Sequence, residues 1–246
     1  ELAKYVNHIY VSGKNLIRIV NDILDYSKVE SGKFEIDMTE CSLSEVLDDI
    51  YSMMSMEAQR KQLEFKIIKS DNLPANIKTD PTRLRQCLIN LANNAIKFTE
   101  KGHVHLNVSM QKDSTNKSMI RFNVEDTGIG IKEMDFEKLF ISFSQADGSI
   151  SRKYGGTGLG LAISKQLANL LGGGLTFSSK EGKGSTFSLV VPAGITLEGH
   201  KSGDKHNSEK NNCSSANATE QKKFSGRILV AEDVEANQVL VKALLN

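Results

Sequence analysis

The first part of the chain has apolar or small residues at alternating intervals of four and three. The members of this seam are Leu2, Val6, Ile9, Gly13, Leu16, Val20, Ile23 and Ser27. Such heptad spacing is typical of a helix that packs in a bundle or a coiled coil. We therefore predict one long helix that runs to about Glu30.

Capping signals predict two further helices. The segment at residues 42–45 has the capping-box pattern Ser-x-x-Glu and opens a helix that we extend through Met56. Asp80 and Pro81 combine a cap with a proline at the first helical position. An apolar stripe at helical spacing follows this second start, made of Leu84, Leu88, Leu91, Ala95 and Phe98.

We predict five strands, at residues 63–69, 104–110, 119–126, 175–179 and 186–191, and the third of them shows clear alternation of apolar and polar residues. In the third of them, Asp126 lies on the apolar face after Phe122 and Val124. A carboxylate is costly to bury there unless it receives hydrogen bonds. Two interpretations are open for Asp126. It either caps an Asp-Gly turn, or it accepts a hydrogen bond from the amino group of a purine whose ring lies against Gly128 and Gly130.

The helix predicted from Asp80 has a polar face. Arg83, Asn90, Asn94 and Lys97 are spaced by seven, four and three, so they lie on one side. This face is either simply solvated or a ligand site. Asparagine is a mediocre helix former, and its amide oxygen is a ligand for a hard cation such as Mg²⁺, so we favour the second interpretation.

Residues 155–160 contain four glycines and run directly into a helical pattern. Backbone N–H groups at such a helix start favour an anion, which predicts a phosphate-bearing ligand. The segment is neither a Walker A loop nor the dinucleotide fingerprint. Taken alone, it could also be an ordinary glycine-rich turn.

The segment before this glycine loop is interpreted as a lid. Phe140 and Phe143 precede a polar stretch at residues 144–154, which few apolar side chains could hold against a core. Arg152 and Lys153 stand where they could meet phosphates. Aromatic anchoring followed by a polar stretch is consistent with a segment that closes over a ligand.

Together these segments resemble the sequence boxes of sensor histidine kinases. Residues 90–99 look like the N box and residues 126–130 like the G1 box. Phe140 and Phe143 are similar to the F box, and residues 156–160 to the G2 box. Residues 181–187 resemble the final glycine box, although alone they could be a hairpin turn. Four boxes in this order are far more specific than any one of them.

The resemblance implies an α+β fold, a two-layer α/β sandwich of the GHKL ATPase type, preceded by the long helix. It implies ATP and Mg²⁺ as cofactors, with Asn94 as metal ligand and Asn90 and Lys97 near the phosphates, these three being the catalytic residues. It places Asp126 on adenine and the phosphate chain on Gly156, Thr157, Gly158, Leu159 and Gly160. The other implied nucleotide-binding residues are Gly128, Gly130, Phe140, Phe143, Arg152, Lys153 and Thr186.

The two ends of the chain extend the resemblance to hybrid kinases. Residues 21–33 resemble the second helix of a dimerisation domain, and residues 227–233 the first strand of a response-regulator receiver. We therefore predict a truncated dimerisation helix at 1–32, the ATP-binding catalytic domain at 33–195, a disordered linker at 196–225 and the start of a truncated receiver at 226–246. The implied partners are a second copy, bound through the N-terminal helix, and a receiver domain.

The resemblance implies transfer of the ATP γ-phosphoryl group to a histidine and then to a receiver aspartate. None of the five histidines stands in an acceptor motif, so we expect the acceptor upstream of Glu1. One alternative is an ATP-hydrolysing clamp of the same superfamily, but such clamps have a glutamate where Asn90 stands. Another alternative is a non-catalytic nucleotide-binding module, against which the intact boxes argue.

Composition adds little to this picture. The 246 residues include 31 Lys and Arg against 30 Asp and Glu, a formal net charge of +1, and no basic patch argues for a nucleic-acid partner. Three cysteines without a pairing pattern suit a reducing compartment. We expect a cytoplasmic location for this part of the protein and leave membrane anchoring of the whole protein open.

Overall fold

The computed structural model describes residues 2–142 and 158–194. Several predicted features lie outside these residues. They are the polar stretch of the lid, the linker, the receiver segment, Phe143, Arg152, Lys153, Gly156 and Thr157.

Four α-helices and a short 3-10 helix are present in the described part of the chain. They are α1 (Leu2–Glu30), α2 (Leu43–Arg60), α3 (Pro81–Phe98), the 3-10 helix (Glu133–Lys138) and α4 (Gly160–Leu170). Both predicted caps are confirmed. The Ser42 hydroxyl accepts a hydrogen bond from the Glu45 N–H at 3.3 Å, and the Asp80 carboxylate accepts bonds from the backbone N–H groups of the first turn of α3.

The strands form two sheets. They are β1 (Thr39–Ser42), β2 (Glu64–Lys69), β3 (Asn76–Thr79), β4 (His103–Lys112), β5 (Ser118–Asp126), β6 (Gly174–Lys180) and β7 (Gly184–Pro192). The main sheet has the order β2-β4-β5-β7-β6, with β2 parallel to β4 and the other pairs antiparallel. All five predicted strands are in this sheet. The small antiparallel pair of β1 and β3 was not predicted.

The core lies between the main sheet and the helices α2, α3 and α4. Inward residues of the central strands, such as Phe122 on β5 and Leu189 on β7, are fully buried against helical residues such as Leu88 and Leu167. Alternate positions on the same strands are less buried. Since strand residues alternate between faces, the sheet has one covered face and one more exposed face. The predicted two-layer α/β architecture is therefore confirmed.

The helix α1 contacts this body near its own C-terminal end. The Asp25 carboxylate accepts a hydrogen bond from the Gln86 amide at 2.8 Å and pairs with Arg83 at 3.4 Å. Earlier in α1, seam residues such as Ile9 and Leu16 are exposed. None of the described helices combines the length and hydropathy that a membrane span needs.

Candidate functional site

Asp126 lies at the end of β5, on the covered face of the sheet, and is only 7% exposed. Its carboxylate accepts a hydrogen bond from the Gly128 N–H at 2.8 Å. Burial raises the pKa of the Asp126 carboxyl above its ordinary value, while backbone hydrogen bonds from Gly128 and Ser185 act in the opposite direction. A buried carboxylate whose desolvation is only partly offset is suited to accept a further bond from a ligand.

The strand β7 presents Ser185, and not Thr186, beside Asp126. In the ladder between β5 and β7, Asp126 pairs with Ser185, and Glu125 pairs with Thr186. Directly opposite residues share a face of the sheet, so Thr186 lies on the face away from Asp126. Thr186 was predicted as a nucleotide-binding residue. The residue beside Asp126 on β7 is Ser185, which is 7% exposed.

The loop after β5 packs tightly against the end of α3. A Cβ atom added at Gly128 would stand 2.5 Å from the Phe98 carbonyl oxygen and 2.8 Å from Asp126 Oδ1. The Ile129 N–H donates to the same Phe98 carbonyl at 3.3 Å. Gly128 is therefore needed for this close approach within the protein, whether or not a ligand ring also lies there.

The same loop is also tied to the turn between β6 and β7. Gly130 has a φ of +66°, and a Cβ there would collide with the Lys180 carbonyl oxygen. The Gly182 N–H donates to the Ile129 carbonyl at 2.7 Å, and the Ile131 N–H donates to Ser179 Oγ at 2.9 Å. The segments that resemble the G1 box and the final glycine box are thus neighbours in the fold.

On α3, Asn90, Asn94 and Lys97 are all half-buried, whereas Asn93 is exposed. Lys97 Nζ lies 4.8 Å from the centre of the Phe98 ring. These three residues form the predicted polar face of α3.

Arg83 was predicted on this polar face but has other partners. Its guanidinium pairs with Asp25 of α1 and lies 4.5 Å from the centre of the Phe34 ring. It also donates to the Gln86 side chain at 2.8 Å. The side chain of Arg83 therefore attaches α1 to α3, which corrects its assignment to the ligand face.

The start of α4 lies against Asn90. Asn90 Nδ2 donates to Ser164 Oγ at 2.8 Å, and a Cβ added at Gly160 would stand 2.5 Å from Asn90 Oδ1. Gly158 has a φ of +72°, and Leu159, just before the helix, is fully buried. The exit of the glycine loop and the polar face of α3 are therefore adjacent. Sequence reasoning missed Ser164, since a serine within a helix carries no distinctive signal.

Phe140 packs at the edge of the sheet. Its ring meets the Phe177 ring of β6 edge-on, with 5.8 Å between centres, and Lys165 Nζ of α4 lies 4.4 Å from its centre. These contacts anchor the start of the predicted lid to β6 and α4.

The described residues are chemically compatible with Mg²⁺ and a nucleotide. Asn90 and Asn94 offer neutral amide oxygens, which suit a hard cation, and the helix start at Gly160 offers backbone N–H groups to an anion. In residues 2–142 and 158–194, no group of three or more His, Cys, Asp and Glu side chains could hold a metal. An ion here would therefore depend on amides and on the oxygens of the ligand itself.

Comparison with known proteins agrees with this geometry. Residues 79–195 match the family "Histidine kinase-, DNA gyrase B-, and HSP90-like ATPase". Hybrid signal transduction histidine kinase B of Dictyostelium discoideum is 44% identical over 192 residues, which are 78% of this chain and 10% of that protein. Signal transduction histidine-protein kinase BarA of Escherichia coli (strain K12) is 43% identical over 200 residues, which are 79% of this chain and 22% of that protein. The chain thus spans less than a quarter of either relative.

Solved structures give the same assignment. Full-length ShkA in complex with AMPPNP matches with a TM-score of 0.68 and 33% identity over 78% of this chain and 39% of that one. The nucleotide-free catalytic domain of histidine kinase ThkA matches with a TM-score of 0.53 and 28% identity over 64% of this chain and 96% of that one. The chain is therefore similar to histidine kinases, and the match of its residues 79–195 is to the ATPase family that includes them.

Proposed function

We propose that this chain binds ATP with Mg²⁺ as the catalytic core of a hybrid sensor histidine kinase. The γ-phosphoryl group would pass to a histidine on another segment and from there to a receiver aspartate. The observation that carries the proposal is the contact of Asn90 with Ser164 of α4, on the same sheet face as the buried Asp126. A recognition group for a base and one for phosphates would thereby be held on the same face of one sheet.

At the base end, the Asp126 carboxylate would accept a hydrogen bond from the amino group of adenine. Ser185 lies on the same face and its hydroxyl is 2.9 Å from Ser179 Oγ, so this hydroxyl is already oriented. We include Ser185 in the proposed base site. Gly128 keeps the backbone behind Asp126 close to α3, which would leave the carboxylate at the floor of the site.

At the phosphate end, the backbone at Gly158, Leu159 and Gly160 would receive the phosphate chain at the N-terminus of α4. Asn90 Nδ2, which has a second hydrogen besides the one donated to Ser164, and Lys97 Nζ would donate to phosphate oxygens, and Asn94 would be the protein ligand of Mg²⁺. Bound Mg²⁺ neutralises phosphate charge. The contribution of the protein is chiefly to hold the γ-phosphoryl group in line with its acceptor.

Transfer to a protein is favoured over hydrolysis by the chemistry of Asn90. A hydrolytic ATPase needs a general base near the attacking water. The Asn90 side chain is a neutral amide that already donates to Ser164, so it cannot take a proton from water. A histidine acceptor supplies its own nucleophilic nitrogen and does not need that base.

The partners and location of the whole protein are also proposals. The exposed apolar seam of α1 would pair with the same helix of a second copy, forming a homodimer. A receiver domain would accept the phosphoryl group from the histidine. This part of the protein would be cytoplasmic.

Labelling with γ-labelled ATP tests the proposal. The chain should bind ATP and Mg²⁺ in calorimetry, remain unlabelled alone, and label a separately supplied dimerisation domain that carries an acceptor histidine. The label should be acid-labile, as expected for phosphohistidine, and the Asn94→Ala variant should not produce it. Absence of ATP binding by the wild-type chain would overturn the proposal. Label on His8 or another histidine of this chain would show that the acceptor was misplaced.

A further inference from the structure

We propose that Ser164 is a positioning residue that fixes the orientation of the Asn90 side-chain amide beside the phosphate-binding start of α4. This inference rests on the proposed function of the site. Asn90 lies on α3 and Ser164 on α4, 74 positions away along the chain. The Asn90 Nδ2 donates to Ser164 Oγ at 2.8 Å.

The helix α4 holds both ends of the amide. Gly160 and Ser164 are four residues apart and therefore share one face of α4. The amide nitrogen of Asn90 is bonded to Ser164, while the amide oxygen lies against Gly160, where an added Cβ would be 2.5 Å away. Contacts with α4 thus set the plane of this side-chain amide, although Asn90 itself belongs to α3.

An asparagine amide needs such a partner if it is to keep one orientation. The last side-chain torsion of asparagine has a broad energy profile, so the residue alone does not define where its oxygen points. Ser164 is 2% exposed, and a buried hydroxyl is costly without a hydrogen bond. The bond to Asn90 therefore stabilises the hydroxyl and orients the amide at the same time.

A second contact strengthens the junction between the two helices. Cys87 lies one turn before Asn90 on α3, and its thiol donates to the Ser164 carbonyl at 3.7 Å. The N-terminus of α4 would hold the phosphate chain through its backbone N–H groups. Because the same helix also holds the Asn90 amide, both groups are set relative to each other before a ligand binds, which is the preorganisation that favours catalysis.

Calorimetry of the full chain with Mg²⁺ and a non-hydrolysable ATP analogue tests the role of Ser164. Ser164→Ala should weaken binding about three- to tenfold, the range expected for one neutral hydrogen bond. Ser164→Thr keeps the hydroxyl and should restore most of the affinity. Ser164→Cys keeps the size with a weaker partner and should behave like the alanine variant, which provides a second test if Ser164→Ala does not fold.

Thr79→Val is the matched control for loss of a buried hydroxyl. Thr79 is 1% exposed on β3, and its oxygen has no hydrogen-bond partner among the described residues. This variant should leave nucleotide affinity unchanged, whatever its effect on melting temperature. If Ser164 only stabilised the fold, Ser164→Ala would likewise leave nucleotide affinity unchanged.

A double-mutant cycle identifies the route by which Ser164 acts. If it acts through Asn90, Ser164→Ala should cause no further loss of affinity in the Asn90→Ala background. Equal losses in both backgrounds, or wild-type affinity of the folded Ser164 variants, would overturn the inference while leaving the proposed function intact. Failure of the wild-type chain to bind the analogue would instead overturn the proposed function, and the inference with it.

Discussion

The carboxylate of Asp126 accepts a hydrogen bond from the backbone N–H of Gly128 at 2.8 Å. This contact is an Asp-Gly turn at the end of β5, so the simpler interpretation of the sequence is realised in the fold. The carboxylate nevertheless lies on the covered face, and burial raises its pKa. A turn does not by itself require a buried carboxylate. We therefore propose ligand binding as the reason for the burial of Asp126.

Asp126→Asn should lower ATP affinity roughly ten- to hundredfold with the fold intact, because the variant would lose the proposed charge-assisted hydrogen bond to the base. The matched control is Glu125→Gln, one residue earlier on the opposite face of β5, where the Asn107 amide contacts the carboxylate at 3.3 Å. Calorimetry of both variants is the measurement. Equal ATP binding by Asp126→Asn and the wild type would remove Asp126 from the base site.

Asp126→Asn should also stabilise the free protein, increasingly so as the pH rises. The folded-state pKa of the Asp126 carboxyl lies above the ordinary aspartate value of 3.8. The free energy of unfolding of the wild type therefore falls as the pH rises from about 3.8 through the folded-state pKa, because the buried carboxyl must ionise. The variant lacks this cost. Urea unfolding of both proteins between about pH 4 and pH 7 should show that the difference in their free energies of unfolding widens and then levels off.

Asp113→Asn provides a control of opposite sign for this pH dependence. Hydrogen bonds from Thr115 and Lys117 lower the pKa of the Asp113 carboxyl. Its contribution to stability is present above the ordinary aspartate pKa and is lost as the pH falls through the folded-state value. If the difference in unfolding free energy between Asp126→Asn and the wild type did not change with pH, the Asp126 carboxylate would not be desolvated in solution.

Asn94→Ala should weaken binding of ATP in the presence of Mg²⁺ and abolish phosphoryl transfer, while metal-free nucleotide binding changes less. The reason is that an amide oxygen is lost from the proposed metal site. Asn93→Ala removes the neighbouring, exposed asparagine of α3 and should have little effect. Titrations with and without Mg²⁺ compare the two variants. Normal transfer by Asn94→Ala would leave the polar face of α3 as a solvated surface.

Gly128→Ala should lower both stability and nucleotide affinity, because the new methyl group would press on the Phe98 carbonyl and on the Asp126 carboxylate. Gly174→Ala on β6 is the control, since an added Cβ meets nothing within 4 Å there. Thermal unfolding and calorimetry measure the two effects. A Gly128→Ala variant as stable as Gly174→Ala would show that the loop can move away from α3 at little cost.

Local patterns were sufficient to predict much of this fold. The caps at Ser42 and Asp80 depend on residues within one helical turn, so they could be read directly from the sequence. The inward position of Asp126 followed from alternation along a single strand. Strands β1 and β3 were missed because each has four residues, too few for a periodic pattern, and each is defined by the pairing with the other.

The sequence by itself determined the main elements, the polar face of α3 and the glycine-rich segments, because each depends on residues close together in the chain. The tertiary structure alone decided that Ser185 lies beside Asp126, that Arg83 pairs with Asp25, and that Asn90 reaches Ser164. Each of these contacts joins segments far apart in sequence. Strand register and helix packing create such contacts, and neither is encoded in the periodicity of one segment.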